Sequence, residues 1–384
     1  MNMKIGIITI LKVNNYGAEL QAYATQAVLK RMGYDAEIID YLFYKNPRHR
    51  RTKKSAPVFH FSLVSRLKEW LYPKMTALKT LNNRKTQKIR ERRFTNFHKE
   101  NTSLSPTYRS MDELYSARLP YDVYLTGSDQ VWNPGLYSSL NPYFLTFAPQ
   151  GKKRIAYAAS FGVSQIPAYA KLYYRERLRQ YDAIGVRERE AVDMVQSVAD
   201  RKAEWVLDPT LLLTREDWMK VARQPETAIN GNYILIYELT PCPYIGQLAR
   251  HFHAAKGWQM VRICKRACHE DKERDIINIT DAGPAEFLHL VANAGLVITN
   301  SFHGTAFSIN FGRDFYTVLP LRKKNNSRQR SLLQMLGLNE RLLVEGTAWE
   351  DIPNTSIDYS EVDKCLDRER NKSIQFLEDA INGE

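Results

Sequence analysis

The stretch Gly295-Leu296-Val297-Ile298-Thr299-Asn300-Ser301-Phe302-His303-Gly304-Thr305-Ala306-Phe307-Ser308-Ile309-Asn310-Phe311-Gly312 decides how the rest of this chain is read. Residues 296–298 are consecutive apolar residues, the pattern of a short buried strand, and residues 305–311 read as the first turns of a helix. A strand, a polar turn and a helix form one step of an α/β sheet, where ligands bind at the carboxyl end of the strand. The helix start offers backbone N–H groups and the positive end of a dipole, which suits an anion. On that turn His303 is placed to donate to an anion or to move a proton near neutral pH. A capping or core histidine is the plainer alternative for a lone His. Here strand, turn and helix start agree, which favours a functional residue.

Outward from this stretch the same alternation recurs. Residues 4–10 read as a buried strand, 18–32 as a helix stopped by Gly33, and 36–41 as a second strand. The turn Asn14-Asn15-Tyr16-Gly17 lacks the three glycines of a dinucleotide fingerprint, which argues against a bound NAD. Strands are expected at 121–126, 154–160, 183–186 and 204–207, with helices at 170–181 and 190–198. A polar stretch, 223–232, precedes a second series. It has strands at 233–239, 260–264, 295–299 and 315–319, and helices at 246–256, 284–294, 305–312 and 331–336. An amphipathic helix over 361–381 closes the chain. Two such blocks predict an α/β protein with two Rossmann-like parallel-sheet domains facing each other across a cleft. The expected boundaries are 1–210, carrying an insertion over about 45–110, then 211–355, then a C-terminal helix over 356–384.

At 384 residues the chain is long enough for two cores, and 44% hydrophobic with 25% charged residues is ordinary for a soluble globular protein. No stretch has the apolar length of a membrane span and no signal-peptide pattern opens the chain, so a cytoplasmic location is expected. Four cysteines (Cys242, Cys264, Cys268, Cys365) do not make a disulfide framework, and Cys264-x-x-x-Cys268-His269 lacks a second ligand pair for a metal. The net charge of +13 is local. Residues 45–99 hold 17 Lys or Arg against Glu69 and Glu91, a net +15 that leaves −2 for everything else. Phe59, Phe61, Leu63, Val64, Leu67, Trp70, Met75, Leu78 and Leu81 interleave with these charges. Such a segment resembles helices that lie on anionic membranes, and a solvated helical excursion is the equal alternative. No nucleic-acid-binding motif accompanies the charge, and no nucleic-acid partner is expected.

Three further strand ends carry polar groups. Gly127-Ser128-Asp129-Gln130-Val131-Trp132 reads as a loop for a sugar or other polar ligand, with Asp129 accepting a hydroxyl proton and Trp132 offering an apolar face; a helix cap by Ser128 or Asp129 is the alternative. Arg187 directly follows a buried strand and suits bidentate capture of a carboxylate or phosphate, whereas Arg189 and Glu190 read as a solvated face. Arg328, behind Arg322-Lys323-Lys324, and Lys323 add cations from the second block, where solvated lysines are the alternative.

Read together, Asn15-Tyr16-Gly17-Ala18-Glu19-Leu20-Gln21-Ala22-Tyr23, Gly127-Ser128-Asp129-Gln130-Val131-Trp132, Val186-Arg187-Glu188, Val206-Leu207-Asp208-Pro209-Thr210, Ser301-Phe302-His303-Gly304-Thr305 and Ser327-Arg328 occur in an order that resembles the polysaccharide pyruvyl transferase family. The resemblance runs from Lys4 to about Arg341, outside the basic insertion. It implies a GT-B-like fold. It also implies transfer of a pyruvyl group from phosphoenolpyruvate to a sugar, galactose-type by expectation, during capsular or exopolysaccharide synthesis, with phosphate released and no metal or further cofactor. Fitted to that chemistry, His303 and Asp129 are expected in the catalytic roles. Arg187, Arg328, Ser301, Gly304, Thr305 and Lys323 fall to the donor, and Asn15, Gly17, Ser128, Gln130 and Trp132 to the acceptor. Some members have Arg two residues before the histidine, where this chain has Ser301, so that anion contact must come from Arg187, Arg328 or Lys323. The expected partners are phosphoenolpyruvate, a soluble or lipid-linked sugar acceptor, and an anionic membrane surface reached through 45–99 at the cytoplasmic face. A nucleotide-sugar glycosyltransferase of the same architecture, or a non-catalytic membrane- or polyanion-binding protein, are the rival readings.

Overall fold

A computed structural model of the chain describes residues 3–64, 67, 69, 71, 84–266, 275–322 and 326–383. The chain folds as two units, each drawn from more than one stretch of sequence. The first comprises Met1–Lys79, His98–Leu212 and Glu369–Glu384; the second comprises Thr80–Phe97 and Leu213–Arg368. Among the described residues each unit is built on one six-stranded sheet, and every pairing within both sheets is parallel.

In the first unit the strands are β1 (Lys4–Ile8), β2 (Asp35–Ile38), β3 (Val123–Thr126), β4 (Lys153–Ala159), β5 (Ala183–Val186) and β6 (Glu204–Trp205), in the order β2-β1-β3-β4-β5-β6. The runs Ile5-Gly6-Ile7-Ile8 and Val123-Tyr124-Leu125-Thr126 are buried throughout, as expected of a sheet covered on both faces. Helix Tyr16–Arg31 begins where Asn15 Oδ1 accepts the Ala18 N–H, and ends before Gly33, whose φ of +93° stops it. The chain leaves β1 to one side for β2 and to the other for β3. The order therefore reverses between β1 and β3, which makes their carboxyl ends a switch point.

The second unit has β7 (Tyr233–Tyr237), β8 (Gln259–Ile263), β9 (Ile276–Ile279), β10 (Leu296–Thr299), β11 (Phe315–Leu319) and β12 (Leu342–Val344), ordered β12-β11-β10-β7-β8-β9. Its reversal falls between β7 and β10. The short outer strands β9 and β12 go beyond the sequence-based expectation. Four residues interrupted by Asn278, and three behind a turn, carry too little periodicity to be read locally. Three helices of this unit also begin at least three residues earlier than expected, at Phe302, Ser327 and Pro243. The first of these shifts matters for the site below.

The basic insertion divides between the units. Helix Arg84–Asn101 lies within it, and its residues through Phe97 belong to the second unit. There Arg93 meets three carboxylates, Asp281 at 2.9 Å, Glu226 at 2.7 Å and Glu286 at 3.4 Å. Arg93, one cation of the +15 segment, therefore serves ion pairing within the second unit. Trp70, Met75, Leu78 and Leu81, with Cys268, His269 and Lys323, lie outside the described residues. The closing helix, Tyr359–Asn382, is also shared. In the second unit Tyr359 donates to Arg313 O at 2.7 Å; in the first, Ser373 Oγ accepts the Leu207 N–H at 3.0 Å. Phe376 packs where a Cβ on Gly185 would come within 2.8 Å of its ring, which explains a glycine inside β5. No helix among the described residues is long and apolar enough to cross a membrane.

Candidate functional site

Each unit gathers its candidate residues at its own switch point. In the second, the helix after β10 spans Phe302–Asn310, and Ser301 is its N-cap: Ser301 Oγ accepts the Gly304 N–H at 3.2 Å, and Ser301 O accepts the Thr305 N–H at 3.0 Å. His303 is thus in the first helical turn, not on the turn before it, and it is buried. Thr305 Oγ1 hydrogen-bonds Ser301 O and lies 2.6 Å from Thr317 Oγ1, so this side chain is spent on holding the helix to β11. Gly304 lies against β10: a Cβ there would stand 2.4 Å from Thr299 Oγ1. The donor-contact roles expected of Gly304 and Thr305 are therefore structural at the side-chain level. They bring the helix start, and His303 with it, close to the strand end.

Asn300 ties the two loops of this switch point together. Its Oδ1 accepts the Leu239 N–H at 2.8 Å and its Nδ2 donates to Thr240 O at 2.7 Å, both on the segment leaving β7. Helix Ser327–Met335 adds Gln329, whose Nε2 donates to Asn300 O at 3.4 Å, and Arg328, whose guanidinium lies 6.0 Å from the centre of the Phe302 ring. A cation thus stands beside the turn that Ser301 caps. Residue order gives Asn300 no role of its own, because its partners come from a segment 60 residues away.

In the first unit Ser128, Asp129 and Arg187 come together as expected, but not as a ligand clamp. Arg187 is buried, with Nη1 donating to Asp208 Oδ2 at 2.7 Å and to Ser128 Oγ at 3.3 Å, and Nε 3.5 Å from Glu188 Oε1. Ser128 Oγ donates to the same Asp208 oxygen at 2.9 Å, Ser160 Oγ donates to Glu188 at 2.6 Å, and Thr210 donates to Asp208 through both N–H and hydroxyl. Burial alone would lower the Arg187 pKa, but Asp208, Glu188 and Asp129 together hold it above its ordinary value. The anion-clamp role expected of Arg187 gives way to that of a positioning residue: its Nη1 and Nε answer Asp208 and Glu188, carboxylates of its own unit. Asp208, Glu188, Ser160 and Thr210 complete this network, and none of them carries a site role in the sequence-based reading.

Asp129 sits at the rim of that network, 3.9 Å from Arg187 and partly exposed. Its φ of +72° is left-handed, a conformation that Asp tolerates better than most residues. Gln130 Oε1 accepts from Asn133 Nδ2 at 2.7 Å. Trp132 does not offer a face to a sugar. It is fully buried, stacked on Phe144 at 5.2 Å, with its N–H on Tyr143 O at 3.1 Å, so its acceptor role is corrected to a core role. On the β1 side, Asn15 caps its helix and Gly17 is buried in the first turn. The loop before them is held by Glu19, whose carboxylate accepts the N–H of Lys12 at 3.2 Å and of Val13 at 2.9 Å, with His98 Nε2 at 2.6 Å. Thr9 joins both sides: it donates to Ser128 O at 2.8 Å and accepts from Gln21 at 2.9 Å.

The family model described as Polysaccharide pyruvyl transferase matches residues 15–319. No curated protein is significantly similar in sequence to this chain. Among solved structures the fold is similar to that of UDP-GlcNAc 2-epimerase from Neisseria meningitidis bound to UDP-GlcNAc, with a TM-score of 0.55 at 10% identity over 100% of both chains. It is also similar to the UDP-GlcNAc 2-epimerase from Methanocaldococcus jannaschii in complex with UDP-GlcNAc and UDP, with a TM-score of 0.52 at 13% identity, again over 100% of both chains. At such identities the likeness is one of fold, the two-sheet GT-B architecture.

Proposed function

Because the chain belongs to the polysaccharide pyruvyl transferase family, we propose that it moves the pyruvyl group of phosphoenolpyruvate onto a galactose-type sugar of a polysaccharide precursor. The product is a pyruvate ketal. In this reaction two sugar hydroxyls each lose a proton as they bond to C2, one proton ends on the methylene carbon of phosphoenolpyruvate, and the other leaves with phosphate as the C2–O bond to it breaks. The chemistry needs an acid, a base and cationic or N–H groups for two anionic substituents, and no cofactor beyond the co-substrate.

In this reading His303 serves the donor, as acid to the methylene carbon or as a contact to the departing phosphate. Arg328 supplies the cation, and the capped helix start supplies its dipole. Asp129 receives a proton from the sugar, with Arg187 holding the loop behind it and Asn15 and Gln130 beside the acceptor. The observation that carries this reading is the placement of His303 in the first turn of a helix at the β7/β10 switch point, with Arg328 over Phe302, in a chain matched by this family.

The test is acceptor-dependent phosphate release from phosphoenolpyruvate by wild type, His303→Ala and Asp129→Asn. Losses of about 10²–10⁴-fold are expected of a group that moves a proton in the transition state. Release unchanged by His303→Ala would remove the site from this turn. Consumption of a UDP-sugar with phosphoenolpyruvate untouched would overturn the reaction itself.

A further inference from the structure

We propose that the first unit docks on an anionic membrane surface through one apolar patch, built from residues 59–64 with Leu67, and from residues 169–172. The first stretch is helical at positions 63, 64 and 67, and Leu63 and Leu67 are 79% and 56% exposed, with Val64 exposed beside them. The second stretch presents Tyr169 and Leu172, 68% and 65% exposed. Every large apolar side chain of the first unit that stands exposed, among the described residues, belongs to one of these two stretches. Scattered exposed leucines need no explanation; a set confined to two stretches that meet does.

Phe59 is what brings them together. Its ring lies 5.4 Å from Tyr169 and 5.5 Å from Tyr173, and two residues further Phe61 lies 5.0 Å from Tyr137. The aromatic pair pins the segment to the body of the unit immediately before Leu63 and leaves Leu63 and Leu67 outside. The chain leading into the patch carries exposed Arg48, Arg51 and Lys53, and Lys171 stands exposed next to Leu172.

This composition selects the occupant. Exposed apolar side chains with Lys171 next to Leu172, on a unit whose chain enters the patch through exposed Arg48, Arg51 and Lys53, match the boundary of a bilayer with anionic headgroups, where the chains sink below the phosphates and the cations remain among them. A second copy of the same surface would set like charges against each other. The residues of the basic helix Arg84–Asn101 through Phe97 belong instead to the second unit, where Arg93 is engaged with carboxylates.

The experiment is co-sedimentation of the full chain, without substrates, with vesicles of phosphatidylcholine plus phosphatidylglycerol and with phosphatidylcholine alone, at about 0.1 M and about 0.5 M salt. Binding to the anionic vesicles only, weakened by salt, is expected. Leu63→Ser with Leu67→Ser, and separately Leu172→Asp, should each lower partitioning about tenfold or more. Arg51→Gln with Lys53→Gln should lower it about tenfold and flatten the salt dependence. All these positions are exposed, and an unchanged melting curve confirms that each variant is folded. Absence of binding, equal binding to both vesicle types, or indifference to either apolar variant would overturn the proposal. Because no substrate is present, the result stands apart from the proposed reaction.

Discussion

Arg187 and Asp208 form a buried ion pair, Nη1 to Oδ2 at 2.7 Å, with Ser128 Oγ bonded to the same carboxylate oxygen. The pair joins the end of β5 to the segment after β6 and stands directly behind the loop that carries Asp129. An arginine at a strand end reads from sequence as a hand held out to a ligand; this one is closed on its own unit.

Removing one partner of such a pair strands the other. Arg187→Met is expected to destabilise the first unit by about 3–5 kcal/mol, because Asp208 and Glu188 are left buried without their cation. Chemical denaturation measures this. A variant of wild-type stability with only a weakened apparent affinity for phosphoenolpyruvate would restore the anion-clamp role.

Trp132 separates a core role from a sugar-binding role in the same way. Trp132→Ala is expected to cost about 3–5 kcal/mol, since the indole is fully buried against Phe144, Phe161 and Tyr181. An acceptor KM raised at unchanged stability would contradict the packing.

Gly304→Ala tests the close approach of helix to strand in the second unit. Thr299 Oγ1 cannot move aside easily, because it donates to Tyr237 O at 2.6 Å and accepts the Ser301 N–H at 3.0 Å. Overpacking there is expected to cost about 1–3 kcal/mol and to displace the helix start with His303. Stability and turnover should fall together; a variant melting like wild type would show that the strand end yields.

Glu19 holds the backbone of the β1 loop, in which Lys12 and Asn14 both adopt left-handed φ of 57° and 52°. Glu19→Ala leaves two backbone N–H groups and His98 without their acceptor, at a cost of about 1–3 kcal/mol for each donor that water cannot reach. Hydrogen exchange of the Lys12 and Val13 amides should accelerate, and Glu19→Gln should restore part of the protection. Unchanged exchange at both amides would mean that the loop is held by other contacts.

Much of this molecule is legible in residue order. Apolar runs such as Ile5-Gly6-Ile7-Ile8 and Leu296-Val297-Ile298 identify strands buried on both faces, and Gly33 stops the first helix. These signals act within a few residues of chain, so a local reading suffices. Their alternation in two blocks is enough for two parallel sheets, and the ordered motifs for the family. Helix starts are less secure. Ser301 caps a helix three residues earlier than its apolar periodicity suggests, because Phe302 and His303 carry no helical pattern of their own.

What residue order leaves open is the direction in which each polar or aromatic side chain is spent. Arg187 finds Asp208 21 positions on, Asn300 finds Thr240 60 positions back, and Glu19 finds His98 79 positions on. Whether Trp132 meets a sugar or Phe144 is likewise settled by the sheet that brings distant segments side by side. Local propensity decides that a segment is strand or helix, because its hydrogen bonds and periodicity are near in sequence. Burial and pairing of a functional group depend on partners that only the assembled sheets supply, and the same arginine is a ligand clamp or a buried strut according to which carboxylates arrive beside it.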